Sequence, residues 1–154
     1  MRYEPPPQDT LVDDPVRLQA GTRIGTVFAE KYQILSLLGA GGMGAVFRAL
    51  HRFTGVEVAL KLLHPQFAMS QGTVRRFLDE ARAAAAIGHP GVVRVHDAGQ
   101  DPTTMEVYIA MELLQGESLS AAIERHTVDL RGLLQVAVDL LDILRASHEV
   151  GIIH

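Results

Sequence analysis

Three glycines, a lysine and a glutamate, spread along the chain, hold most of the chemistry this sequence offers. In Gly39-Ala40-Gly41-Gly42-Met43-Gly44-Ala45-Val46, residues Gly39, Gly41 and Gly44 stand in Gly-x-Gly-x-x-Gly register directly after a strand-like run. Positions without a Cβ let backbone N–H groups come close to phosphate oxygens. Several phosphate-binding loops share such strings, and the flanking residues separate them. A P-loop needs Lys and then Ser or Thr after the last glycine, where Ala45 and Val46 follow here. A dinucleotide-binding turn opens a helix, whereas this segment runs on as alternating strand and into a hairpin. The remaining geometry is a loop bent between two antiparallel strands above a nucleotide.

Lysine is scarce: of fourteen Lys and Arg residues only Lys31 and Lys61 are lysines. Lys61 follows the apolar run Val58-Ala59-Leu60. A strand-face lysine commonly lays its stem along the sheet and keeps its ammonium in water. On a strand hairpinned to the one leaving the glycine loop, it can instead point beneath that loop toward phosphates. An ammonium drawn inward requires an anion. Glu80, in the helix that follows, is the candidate; the alternative is a surface pair with Arg76 on the same helix. Glu80 lies beside the apolar stripe of Phe77 and Ala81, which brings the sheet within its reach.

The elements that position these residues follow from periodicity. Tyr32 to Leu38, Ala45 to Leu50 and Val56 to Leu63 read as three strands, the last two joined by a hairpin through His51-Arg52-Phe53-Thr54-Gly55. After His64-Pro65 the period changes from two to 3.6. Val74, Phe77, Leu78, Ala81 and Ala85 mark a helix capped by Ser70 or Thr73 and stopped at Gly88-His89-Pro90. Val92 to Val95 and Glu106 to Met111 read as two further strands around the turn Gly99-Gln100-Asp101-Pro102, with Asp97 and Asp101 as turn formers. From Ser118 a short helix runs to Arg125. Asp129 then opens a longer one with Leu133, Val136, Ala137, Leu140, Leu141, Leu144 and His148 at helical spacing. The predicted fold is α+β, a five-stranded antiparallel sheet with one inserted helix, followed by helices. Residues 1–23, with Pro5, Pro6, Pro7 and Pro15 among Asp9, Asp13 and Asp14, read as a flexible leader.

Composition narrows the partners. A chain of 154 residues, 47% apolar and 21% charged, fits one globular domain with a real core. Its net charge of −4 and the lack of any Lys/Arg block argue against nucleic acid and against a polybasic membrane patch. The absence of cysteine excludes disulfides and thiol catalysis and fits a reducing cytoplasm, the expected location. No apolar run reaches the ~18 residues of a membrane helix. The histidines show no His-Glu-x-x-His spacing, so no metal site is expected.

Glycine loop, Val-Ala-x-Lys strand and helix glutamate, in this order, resemble the protein kinase family from about Tyr32 to His154. The run from Ile109 to Gly116 looks like the last strand of that family's small lobe and its hinge, with Met111 in the gatekeeper position. His89-Pro90-Gly91-Val92-Val93 resembles the family's His-Pro-Asn segment, with Gly91 departing from Asn. The run from His148 to His154 looks like the approach to the His-Arg-Asp catalytic loop, His154 being its first residue. The style is closest to bacterial serine/threonine kinases of the eukaryotic-like type. The resemblance implies a small lobe over 24–115, with Glu80 on the αC-type helix, and the opening of the large lobe over 116–154. It implies ATP as ligand, contacted by Leu38, Gly39, Gly41, Gly42, Met43 and Gly44 of the loop. Val46 and Ala59 would pack on the adenine ring beside Met111, with hinge hydrogen bonds from the Glu112 C=O and the Leu114 N–H. Lys61 and Glu80 become the catalytic ion pair, Lys61 on the α and β phosphates. Glu117-Ser118 either reaches the ribose or caps the next helix.

In that family the aspartate that receives the substrate proton, and the Asn and Asp that hold magnesium, lie beyond the position of His154. ATP with Mg2+ is therefore expected of the intact parent, and the 154-residue chain is expected to transfer no phosphate by itself. The leucine face of 133–144 would pack on the remainder of the large lobe, and left open it favours self-association. The protein substrate is not specified by these residues. Two functions of different class fit: the ATP-binding portion of a serine/threonine protein kinase, or a truncated or degenerate kinase acting as a non-catalytic module that binds nucleotide or a partner.

Overall fold

The structure, a computed structural model, describes residues 20–153. The chain runs β1 (Val27–Phe28), β2 (Tyr32–Gly41), β3 (Gly44–His51), β4 (Glu57–Leu63), α1 (Pro65–Ala68), α2 (Gln71–Ile87), β5 (Val95–Gln100), β6 (Val107–Glu112), α3 (Leu119–Glu124) and α4 (Leu130–Glu149). The strands form one antiparallel sheet in the order β1-β2-β3-β4-β6-β5.

Strand alternation divides this sheet into two working faces. On β4, Val58, Leu60 and Leu62 enter a core with Tyr32 and Ile34 of β2, Ala45, Phe47 and Ala49 of β3, and Tyr108 and Ala110 of β6. The intervening β4 residues Ala59, Lys61 and Leu63 take the other face, where Leu63 joins Val107, Ile109, Phe77 and Ala81 in a second core under α2. Lys61 therefore faces α2 by register. The α2 helix starts where Ser70 accepts from the Thr73 backbone N–H and ends at Gly88, which adopts the left-handed conformation of a C-cap. Ser118 and Asp129 cap α3 and α4 in the same way, accepting from Ala121 and Gly132.

The sheet curls. Asp97 of β5 accepts hydrogen bonds from Tyr32 at the start of β2 (3.1 Å), from Tyr108 of β6 (2.8 Å) and from the Lys31 ammonium (3.3 Å). Three strands lie between β2 and β5 in the sheet order, so these bonds close it toward a half-barrel around the first core.

Several expectations are corrected. The sheet has six strands among the described residues, not five, because Val27 and Phe28 pair back onto Gln33 and Tyr32. Their hairpin turns through Ala29 and Glu30, both at positive φ (47° and 58°), without the Asn-Gly signal such turns usually carry. The fourth predicted strand, Val92 to Val95, is displaced to Val95–Gln100. This edge strand alternates half-buried and exposed residues, and its Asp97, Gly99 and Gln100 read as turn residues in the sequence. Asp97 is thus a strand residue, whereas Asp101 does form the turn, accepting from the Thr103 N–H and the Thr104 hydroxyl. The expected flexible leader lies outside the described residues up to position 19. Its last residues are packed: Ala20 is buried and Arg23 is paired with Glu106. His154 also lies outside the described residues.

Candidate functional site

The glycine segment forms a tight hairpin. Gly41 pairs with Gly44 at its end, Gly39 pairs with Val46, and Gly42 and Met43 make the tip. Gly44 is demanded by packing, because a Cβ there would lie 2.1 Å from the Leu62 carbonyl oxygen of β4. Gly39, Gly41 and Gly42 are different: a Cβ at any of them would meet nothing within 4 Å, and none has positive φ. Neither crowding nor backbone conformation accounts for three glycines. The protein leaves open space along the edge of this flap, with no side chain to obstruct an approaching ligand.

Beneath the hairpin, β3 and β4 pair Val46 with Lys61 and Arg48 with Ala59, and β4 and β6 pair Ala59 with Met111 and Lys61 with Ile109. Val46, Ala59, Lys61 and Met111 thus share one face of three neighbouring strands. The Lys61 ammonium donates to both carboxylate oxygens of Glu80, at 2.8 and 3.0 Å. It also stands 5.4 Å from the centre of the Phe77 ring, close enough for cation–π attraction. The Glu80 alternative in the sequence, a pair along its own helix, falls to its neighbour: Asp79 bonds Arg75 and Arg82.

The magnitude of this pair bears on its purpose. Side-chain exposure is 26% at Lys61 but 64% at Glu80, and ion pairs so open to water contribute about 0–1 kcal/mol to stability. What the pair does supply is a fixed position for a positive charge below the flap.

Met111 and Glu112 end β6, and Leu114 follows, two-thirds exposed. The Glu112 carboxylate accepts the Arg94 N–H at 2.6 Å while its own backbone N–H donates to the Arg94 carbonyl at 2.9 Å, so the end of β6 is tied to the segment entering β5. His89 reaches Asp142 of α4 at 3.1 Å, and Gly91 packs so closely on Ile143 that a Cβ would lie 2.5 Å from its terminal carbon. The Gly91 departure thus has a local reason: the side chain of α4 takes the space. Leu38 and Met43 are exposed on the hairpin. Ser118 caps α3, and Glu117 pairs with Arg125.

The family model of the protein kinase domain matches residues 32–154. The chain belongs to the protein kinase family. Among similar proteins, the serine/threonine-protein kinase PknA of Mycobacterium tuberculosis is 34% identical over 139 residues, covering 86% of this chain and 32% of PknA. The DNA damage-responsive serine/threonine-protein kinase RqkA of Deinococcus radiodurans is 38% identical over 132 residues, 84% of this chain and 20% of RqkA. The crystal structure of the Mycobacterium tuberculosis PknI kinase domain superposes with a TM-score of 0.68 at 28% identity, over 85% of this chain and 54% of that domain. The chain therefore spans about a third or less of these curated relatives and about half of a solved kinase domain. The kinase fold, and the likeness to bacterial serine/threonine kinases, stand as the sequence implied.

Among the described residues of this kinase segment, no helix is long and apolar enough to cross a membrane. Two features escaped the sequence reading. His64, which served there only to mark the end of a strand, bonds the hairpin. The Asp97 cluster joins residues some 65 positions apart, and nothing local in the sequence signals it.

Proposed function

We propose that this chain is the ATP-binding portion of a serine/threonine protein kinase, with residues 24–115 as the small lobe and 116–154 as the opening of the large lobe. The observation that carries the proposal is the ammonium of Lys61, held by Glu80 beneath a hairpin whose glycines at 39, 41 and 42 have no packing reason to be glycine. Phosphates entering there meet backbone N–H groups from above and a fixed positive charge from below. Phosphoryl transfer spreads negative charge over oxygens while little covalent chemistry falls to the protein, so preorganised charge is what such a site supplies. Val46, Ala59 and Met111 give the base an apolar bed. Glu112 C=O and Leu114 N–H offer the hinge bonds, and Leu38 and Met43 flank the flap.

Among the described residues, no three His, Asp or Glu side chains come together to hold a metal ion. In the kinase family the Asn and Asp that hold the Mg2+ accompanying ATP lie beyond the position of His154. With the proton-accepting aspartate also outside this sequence, the proposal holds that these 154 residues bind ATP in the cytoplasm but transfer no phosphate by themselves. Leu134, Val138 and Leu141, at i, i+4 and i+7, stand exposed on α4, an apolar stripe that favours self-association at high concentration.

Calorimetric titration with ATP, with Lys61→Met as control, tests the binding. Loss of a charge-assisted contact to phosphate is worth about 1.5–3 kcal/mol, so the variant is expected to bind about ten- to a hundredfold more weakly. Equal binding by both proteins would overturn the reading. Lys61-dependent incorporation of labelled phosphate into a protein by the chain alone would overturn the inactivity. A single sedimentation coefficient across all concentrations would overturn the self-association.

A further inference from the structure

We propose that His64 is a positioning residue that clamps the glycine hairpin above Lys61; the proposal deepens the nucleotide reading and rests on it. His64 is the first residue after β4 and reaches the flap twice. Its backbone N–H donates to the Met43 carbonyl at 3.0 Å, and its ring Nε2 lies 3.1 Å from the Gly41 carbonyl oxygen. A carbonyl oxygen only accepts, so Nε2 carries the proton in this contact. Both acceptors belong to the last turn of the hairpin, on either side of Gly42.

Beyond the β2–β3 ladder, which ends in the Gly41–Gly44 pair, few side chains among the described residues hold that tip. Gly39, Gly41 and Gly42 offer no side chain, Met43 is 63% exposed, and the one tight approach is that of Gly44 to Leu62. Pro65 makes the clamp stiff. A residue before proline is confined to extended backbone, and His64 sits there with φ −59° and ψ 138°. That backbone fixes the direction in which the Cα–Cβ bond of His64 leaves the chain. Because His64 lies on the same strand end as Lys61, the clamp fixes the height of the flap relative to the ammonium. Phosphate then meets a gap already formed rather than one it must order on arrival.

The test compares the wild type with His64→Ala and with His64→Gln, whose side-chain amide can donate to the same carbonyl. Without nucleotide, amide hydrogen exchange over residues 39–46 is expected to be about five- to tenfold faster in His64→Ala, with α2 unchanged, and to return toward wild type in His64→Gln. Nitrogen NMR of the wild-type ring is expected to show a protonated Nε2. Unchanged exchange in His64→Ala, or a ring protonated on Nδ1 alone, would overturn the clamp. In ATP titrations, His64→Ala is expected to bind about five- to tenfold more weakly and His64→Gln close to wild type. Faster exchange with unchanged ATP affinity would overturn the positioning role. Failure of the wild type to bind ATP removes the nucleotide reading and this role with it, and the exchange data still show whether the clamp itself exists.

Discussion

The two lysines of this chain each hold a carboxylate, and the two sites are built on opposite principles. Lys31 is one of three donors converging on Asp97, together with the hydroxyls of Tyr32 and Tyr108, whose rings are buried and in contact. Among the described residues Lys61 is the single side-chain donor to Glu80, whose carboxylate stands mostly in water. The first site is redundant and half-buried, its Asp97 side chain 35% exposed but resting on two buried tyrosines, and it links strands at opposite sides of the sheet. The second is solitary and open, linking one strand to one helix. Several bonds that satisfy buried hydroxyls stabilise a fold. A solitary, hydrated pair adds little to stability, and under the proposed function its contribution lies in holding a charge where a ligand can meet it.

Asp97→Ala tests the first half of that contrast with the largest effect. It leaves two buried tyrosine hydroxyls without their acceptor, and each such orphan costs about 1–3 kcal/mol. A clear fall in Tm is expected while ATP affinity, measured well below the new midpoint, stays within about twofold because no Asp97 contact reaches the flap. An unchanged Tm would mean that water replaces Asp97 at no cost and that the sheet curls without it.

Titration sharpens the same contrast. Burial pushes the Asp97 carboxyl up, but the hydrogen bonds from Tyr108, Tyr32 and Lys31 together outweigh it, so the group sits below the ordinary carboxylate range. A depressed acid stabilises the fold above the unfolded-state value of about 4, and that contribution is lost as pH falls toward the folded-state value. Burial, then the bond to Asp97, raises Tyr108 to about 12. That contribution is present below about pH 10, the ordinary tyrosine value, and is lost as pH climbs from there through about 12. Tyr32 is shifted in the same direction for the same leading cause. Thermal midpoints measured against pH are expected to slope down at both ends, and Asp97→Asn is expected to flatten the acid limb. An identical acid limb in that variant would show that other carboxylates govern it.

How far the sequence disclosed these two sites follows from how local their signals are. The Lys61–Glu80 contact was legible because both ends sit in strongly periodic elements, and the strand and helix registers leave their side chains facing each other. The capping serines and the glycine stop of α2 were legible for the same reason. The Asp97 cluster was not, since it depends on the curl of a six-stranded sheet, which no pairing signal specifies. A polar edge strand made Asp97 look like a turn residue. The β1 hairpin was missed because Ala29 and Glu30 adopt left-handed backbone without the residues that normally mark it. The His64 contact was overlooked because its partners lie in a hairpin some twenty positions earlier.

The smallest expected effect is at Glu80. Glu80→Gln keeps the size of the side chain and one acceptor oxygen for Lys61, removing only the charge of a carboxylate that is 64% exposed. Stability is expected to move by less than about 1 kcal/mol. ATP affinity is expected to fall only about two- to fivefold, because the Phe77 ring still borders the ammonium and the amide still accepts from it. The informative quantity is the coupling: once Lys61 is methionine, adding Glu80→Gln should change ATP affinity no further, because Glu80 acts through that ammonium. A fall of similar size in both backgrounds would mean that Glu80 meets the nucleotide or its counter-ion directly. The solitary pair would then be two separate contacts, and the contrast with the Asp97 cluster would no longer be one of positioning against stabilisation.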